Sequence, residues 1–288
     1  MTEQRAQAYA RRFNRVFDYI DQHLDEDLSL ERLSQVANFS KYHFQRQFTD
    51  YCGISVSRYI QLMRMKRASF RLAFNPLERI IDIALESGFE NPESFTRAFK
   101  QLFGQTPSAF RRKPDWEAWA RRYQQHKRQR PLNREVDIVD FPQTAVAILP
   151  HRGAPSLIPN TVRRFIDWRR ESGLSPLESS QTFGIAHDNP ETTAPEAFRF
   201  DVAGSVLAPV PANEQGVVNG VIVAGRCARL RHHGSHDHLG ESVLYLYREW
   251  LPHSGEELRD FPLFFHYLSL LVHTPEHQLQ TDIYLPLK

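Results

Sequence analysis

The 288-residue sequence predicts a multidomain chain, with an all-α domain built from a duplicated two-helix unit followed by an α+β domain. Three observations carry that prediction. An internal repeat fills most of the first third, the hydrophobic pattern changes from helical to strand-like near residue 134, and charge is divided unequally along the chain. Residues 1–130 hold 23 Lys+Arg against 15 Asp+Glu, and the remainder holds 13 against 19. A basic first part invites a polyanion, while an acidic second part would be repelled by one and suits another task. The 41% hydrophobic content is enough for each part to bury its own core.

From the N-terminus, Met1 to Arg15 is polar and Arg-rich with no apolar segment behind it, unlike a signal peptide, and no apolar run is long enough to span a bilayer. A cytoplasmic protein without membrane association is expected. Cys52 and Cys227 fit neither a disulfide framework nor a metal-binding spacing, so both are expected to be reduced. The repeat pairs LSQVANFSKYHFQRQFTDYCGISVSRY, from Leu33 to Tyr59, with IALESGFENPESFTRAFKQLFGQTPSAF, from Ile83 to Phe110. Superposed, Phe39 falls on Phe89, Phe44 on Phe95, Phe48 on Phe99, Gly53 on Gly104 and Tyr59 on Phe110. Each copy opens with a short apolar-faced helix and turns at Asn38-Phe39-Ser40 or Gly88-Phe89-Glu90, where Asn and Gly accept a positive φ most easily. Each then enters a second helix that buries its Phe pair at i, i+4 and leaves its other faces polar. A short helix, a tight turn and a polar second helix make a helix-turn-helix, here present twice.

Between the copies, Val56 to Ala73 alternates apolar and basic residues without Gly or Pro until Asn75-Pro76, which predicts one long helix of about 27 Å. Such a rod approaches the pitch of one duplex turn, so two recognition helices could enter successive major grooves of double-stranded DNA. Residues 1–113 are therefore assigned to the helical domain. Residues 114–133, which include a short helix in WEAWARRYQQHKRQR, are read as a charged linker, and residues 134–288 as the second domain. The second domain has strand-like runs at 136–139, 144–149, 217–224, 228–232 and 280–285, and helical stretches at 160–172 and 239–251.

On the first recognition helix, Arg46 can pair bidentately with a guanine, Gln45 with an adenine, and the Tyr42 ring suits a thymine methyl. His43 lies beside them. On the second, Glu93 could accept only from a cytosine amino group, and Pro92 is at home in a first helical turn. Lys41, Lys100, Arg111 and Arg112 are expected phosphate contacts that hold register without reading sequence.

Leu28 to Arg112 resembles the DNA-binding domain of the AraC/XylS family, on SKYHFQRQF followed by Gly53, on IALESGF, and on FTRAFKQLFGQTPSAFR. The resemblance implies that Tyr42 and His43 make base or backbone contacts and that Ser94, Thr96 and Arg97 lie on the contact face of the second helix. Val56 stands where the family often has proline. Residues 135–288 resemble the GyrI-like small-molecule-binding domain, on VDIVDFPQTAVAILPHRG, FRFDVA, GRCARLRHHGSHDHLGESVLYLYREWLP and QTDIYLPL. That resemblance implies two related α+β halves around a cleft and, with the first, the Rob-type arrangement within the family. A small-molecule effector and RNA polymerase become candidate partners.

Trp168, Tyr245, Trp250, Phe265 and Tyr267 are the aromatic candidates for lining an effector pocket, although such residues build cores as readily. Phe265 occupies the position where such domains commonly carry a glutamate expected to meet cationic ligands, so neutral or flat apolar ligands are expected instead. Hydrolase members of the GyrI-like group rely on that same acid, and no nucleophile elbow, phosphate loop or dinucleotide fingerprint is present, so no enzyme is expected. His232, His233, His236 and His238 lie between a strand and a helix without a nearby cysteine and read as a polar capping loop, with no metal or cofactor expected.

Overall fold

The computed structural model describes residues 2–123, 135–271 and 274–288, with side chains from Arg12 onward, and the chain divides into two compact units, Met1–Pro131 and Leu132–Lys288. The first unit opens with α1 (Thr2–Gln22), which the sequence reading did not assign. Its Phe13, Val16, Phe17 and Ile20 recur at helical spacing and are buried against α2 (Leu30–Val36) and α3 (Lys41–Cys52). Phe13 stacks on Tyr51 of α3 with ring centroids 4.6 Å apart. The long helix α4 (Val56–Phe74) follows, then α5 (Ile80–Glu86), α6 (Pro92–Phe103) and α7 (Pro107–Arg112).

The two helix pairs α2–α3 and α5–α6 share one local construction. Asn38 has φ 56° and Gly88 has φ 80°, the positive values the turn demands. The amide of Phe39 donates to the Ser34 carbonyl at 2.9 Å, and that of Phe89 to the Ala84 carbonyl at 3.1 Å, closing both helix ends in the same way. Ser40 caps α3 and Asn91 caps α6, accepting from the His43 and Ser94 amides. Phe44 and Phe48 of the first pair, and Phe95 and Phe99 of the second, are fully buried.

The segment read as the start of a linker belongs in part to this unit. Helix α8 (Trp116–Tyr123) buries Trp116 and Tyr123; the Trp119 indole donates to Ser69 Oγ at 2.7 Å, and the Tyr123 hydroxyl donates to the Leu62 carbonyl at 3.0 Å. The physical reason is the aromatic spacing inside a charged string: positions 116, 119 and 123 share one helical face, and α4 and α7 supply the surface that covers it. The rest of the expected linker, residues 124–133, lies outside the described residues.

The second unit is an eight-stranded antiparallel sheet in the order β1-β6-β8-β7-β3-β4-β2-β5. Its first half is β1 (Val136–Phe141), β2 (Thr144–Arg152), α9 (Ile158–Ser172), β3 (Thr182–Ala186) and β4 (Arg199–Ser205). Its second is β5 (Val218–Ile222), β6 (Gly225–His233), α10 (Leu239–Tyr245), a π-helical turn (Leu246–Trp250), α11 (Leu251–Ser254), β7 (Leu263–Tyr267) and β8 (Gln280–Pro286). The opening strand of each half is exchanged, β1 pairing with β6 and β5 with β2, and the halves meet where Gly184 of β3 faces Phe265 of β7. The related halves implied by the resemblance are thus present. The helices cover one sheet face over a core that includes Leu149, Phe165, Val202, Leu230, Leu246 and Ile283, and a second cluster around Phe141, Phe183, Phe264 and Tyr284 fills the opposite face.

The same side chains brace both halves. His151 meets Thr161 Oγ1 at 2.8 Å and the Ala154 carbonyl at 3.1 Å, and His232 meets Ser242 Oγ at 3.0 Å and the Ser235 carbonyl at 3.0 Å. Buried Asp201 and Asp282 each hold an arginine, Arg152 at 2.8 Å and Arg231 at 2.7 Å.

Candidate nucleic-acid interface and ligand-binding domain

Helix α3 buries Phe44 and Phe48 and leaves Lys41, Tyr42, His43, Gln45 and Arg46 exposed, so the 3.6-residue period alone decides which residues reach outward. Tyr42, Gln45 and Arg46 lie at i, i+3 and i+4 on one face, and the Tyr42 ring is 92% exposed, an unusual position for a large aromatic without a partner. On α6 the matching face carries Glu93, Thr96 and Arg97, followed one turn on by Lys100. Glu93, Arg97 and Lys100 are exposed, while Ser94 and Thr96 are half-buried. Because Phe44 superposes on Phe95, Arg46 and Arg97 hold equivalent positions on the two helices.

The two faces differ in detail. Ser94 is bound into the helix cap: its amide donates to Asn91 Oδ1 and its hydroxyl to the Asn91 carbonyl, both at 2.9 Å. Ser94 is thus engaged in the cap, while Arg97 remains exposed on the face. Of the residues expected to touch phosphate, Lys100 and Arg112 are exposed, whereas Lys41 is paired with Glu31 at 2.9 Å. Arg111 is half-buried, and burial pushes its pKa down against the opposing charge of Glu78. Arg111 is thus turned inward more than the sequence reading expected.

In the second unit all five aromatic candidates belong to, or pack on, the core between the helices and the sheet. Trp168 is a core residue: it is 3% exposed and stacks on Phe165 with centroids 5.5 Å apart. Tyr245 and Trp250 are half-buried against the same core. Phe265 lies 6.3 Å from Phe200 and 6.2 Å from Tyr267, ring centre to ring centre. Burial holds the Tyr267 hydroxyl firmly in its neutral form. Opposite Phe265, a Cβ on Gly184 would stand 2.5 Å from the Phe200 ring and 2.7 Å from the Tyr267 hydroxyl, so these side chains lie against the bare Gly184 backbone. Phe200 escaped the sequence reading, although its place in FRFDVA was available as a signal.

Arg169 was also missed. It is 2% exposed and donates to the Ser175 carbonyl at 2.5 Å and Thr182 Oγ1 at 2.7 Å, and burial lowers its pKa to about 10. In the histidine run, His232 braces the helix start, His236 lies 5.1 Å from the Tyr267 ring, and His238 pairs with Glu241 at 3.3 Å. Among the described residues, no group of three or more His, Cys, Asp or Glu is placed to hold a metal ion, and no helix is long and apolar enough to cross a membrane.

Two matched helix-turn-helix pairs joined by one long helix, followed in sequence by a two-fold-repeated α+β unit, define a DNA-binding regulator that carries a ligand-binding domain. Comparison with known proteins agrees. Residues 33–113 match the helix-turn-helix domain family and residues 134–288 the GyrI-like small molecule binding domain, so the chain belongs to the AraC-type regulators with a C-terminal GyrI-like domain. The chain is 51% identical over 156 residues to the probable transcriptional regulator YgiV of Escherichia coli K12, a match covering 54% of this chain and 98% of YgiV. It is 41% identical over 103 residues to the right origin-binding protein of the same organism, covering 35% of each. The EcmrR–DNA complex in EcmrR-RPo, solved by cryo-electron microscopy, superposes with a TM-score of 0.47 at 15% identity over 86% of this chain and 82% of that one.

Proposed function

We propose that the first unit reads an asymmetric duplex site through α3 and α6, each entering one of two successive major grooves, so that a single chain occupies a full site. The observation that supports this reading is the equivalence of Arg46 and Arg97 on two helices of the same build, joined by the 19-residue α4, about 28 Å long and close to one turn of duplex. Gln45, Arg46 and Tyr42 form a fuller reading surface than Thr96, Arg97 and Glu93, so α3 contributes more sequence discrimination. Lys100 and Arg112 supply charge toward phosphate. The second unit, with Phe265, Phe200 and Tyr267 at its centre, takes a neutral or flat apolar effector rather than a cation, and RNA polymerase is the protein partner the reading implies at a promoter.

Selection of preferred sites from random duplexes tests the DNA reading. Wild type should return two submotifs about one helical turn apart. Arg46→Ala should relax one submotif and Arg97→Ala the other. Salt-sensitive binding with no sequence preference would remove the reading.

A further inference from the structure

We infer that two arginines on α4, Arg64 and Arg67, set the spacing at which the two recognition helices meet DNA; the inference rests on the two-groove reading above. Both helix pairs pack on α4, and these side chains tie one pair's entry to the other pair's turn. Arg64 donates from Nε to the Leu24 carbonyl at 2.9 Å and from Nη2 to the Glu26 carbonyl at 2.8 Å, in the loop that leads into α2. Its third nitrogen lies against the turn between α5 and α6, where a Cβ built on Gly88 would stand 2.6 Å from Nη1. Arg67, one turn further along the same face of α4, pairs with the Asp25 carboxylate of that loop and donates from Nη2 to the Glu86 carbonyl at 3.2 Å, at the end of α5. Two planar cations thus bridge the entrance of the first helix pair and the hinge of the second.

The groups bridged are backbone carbonyls and one loop carboxylate, and a guanidinium presents its donors in a fixed fork, which an ammonium does not. Gly88 is needed twice, for its positive φ and to leave room for the guanidinium. The arrangement resists rotation of α5–α6 about α4, the motion that would change the distance and phase between the two submotifs. Adding one base pair moves the second submotif by about 3.4 Å and turns it by roughly a tenth of a turn, so a rigid joint and a loose one give different responses.

The test uses the full chain and the selected duplex, rebuilt with zero, one or two base pairs added or removed between the submotifs. Wild type, Arg64→Ala, Arg64→Lys and Asp25→Asn are compared by fluorescence anisotropy at fixed salt, with circular dichroism melts confirming folding. The expected wild-type loss is about tenfold or more on adding one base pair, equivalent to about 1.4 kcal/mol. Arg64→Ala should cut that loss to about threefold or less while each submotif keeps its base preference, Arg64→Lys should restore little of it, and Asp25→Asn, which removes only a surface carboxylate charge, should fall between. If spacing discrimination stays at the wild-type value in folded Arg64→Ala and Asp25→Asn, the inference fails. Should Arg64→Ala not fold, Asp25→Asn alone decides. A wild-type chain that selects no paired submotifs overturns the two-groove reading instead, a separate outcome.

Discussion

At the scale of single residues, the proposed function gives base reading and phosphate holding to different atoms, so the two can be separated. Arg46→Ala removes a bidentate partner and should cost about 1 to 3 kcal/mol on a matched site while relaxing selectivity at one base pair. Lys100→Ala removes charge only, so it should weaken binding about equally on matched and scrambled duplexes and reduce the slope of log affinity against log salt by about 1. Affinities measured across a salt series on both duplexes distinguish the two, and equal behaviour of the two variants would contradict the assignment. In the second unit, His266 lies on β7 with Asp282 across the strand pair and Arg231 beyond it. Burial lowers its pKa first of all, with Asp282 opposing and Arg231 assisting. An imidazole kept neutral in the fold titrates near 6.5 once unfolded. Below that pH the unfolded chain takes up a proton that the folded chain resists, so stability present above pH 6.5 is lost as pH falls toward the folded value. Denaturant unfolding of the second unit at pH 7.5 and 5.5 should show a larger acid loss in wild type than in His266→Gln.

At the scale of elements, α8 shows how an aromatic spacing can be hidden by charge. Trp116 is 1% exposed and packs edge-on to Phe110 at 5.4 Å and parallel to Phe74 at 5.9 Å. Trp116→Ala should destabilise the first unit by about 3 to 5 kcal/mol in a denaturant melt followed by helical signal, whereas a true linker residue would shift the midpoint very little. The sequence reading gave this helix to a charged linker because Arg, Glu and Gln dominate the composition there, and composition is blind to which helical face the aromatics share. Helix α1 was passed over for the same reason: its buried positions at 13, 16, 17 and 20 follow a polar stretch read only for targeting. The repeat was legible because equivalent Phe, Gly and turn residues recur at matched positions, and the structure gives the two turns the same hydrogen bonds. Strands β3, β4 and β7 were not listed among the expected strands. They are central, with runs of consecutive buried residues, so they lack the alternation that betrays a half-exposed strand. Of the ligand candidates, Phe265 could be located by resemblance, but the identity of its neighbours, Gly184 and Phe200, depends on the pairing of β3 with β7 between the two halves, which no local pattern encodes.

At the scale of the whole molecule, the charge division assigns DNA to the first unit and leaves the second to report on something else. A ligand of the second unit should stabilise it by mass action, by about 2.7 kcal/mol at a concentration one hundred times its dissociation constant. Stabilisation alone does not make an effector. A ligand that binds the free and the DNA-bound chain equally leaves DNA affinity unchanged however tightly it binds, and one that favours either state must change DNA affinity by the ratio of its own two affinities. The relation is reciprocal, which makes it checkable from both sides. Titration of a neutral aromatic ligand into the chain, alone and saturated with its selected duplex, gives one ratio; titration of the duplex with and without ligand gives the other. For a regulator whose second unit controls the first, the two ratios should agree and differ from one, typically by about 5- to 150-fold. Equal ligand affinity in both titrations, together with clear thermal stabilisation, would make the second unit a binding module that does not govern DNA recognition, and its partner would then be sought among proteins such as RNA polymerase. The same titrations with a cationic aromatic compound complete the argument, because Phe265 in place of an acid should leave the cation with no advantage over its neutral analogue.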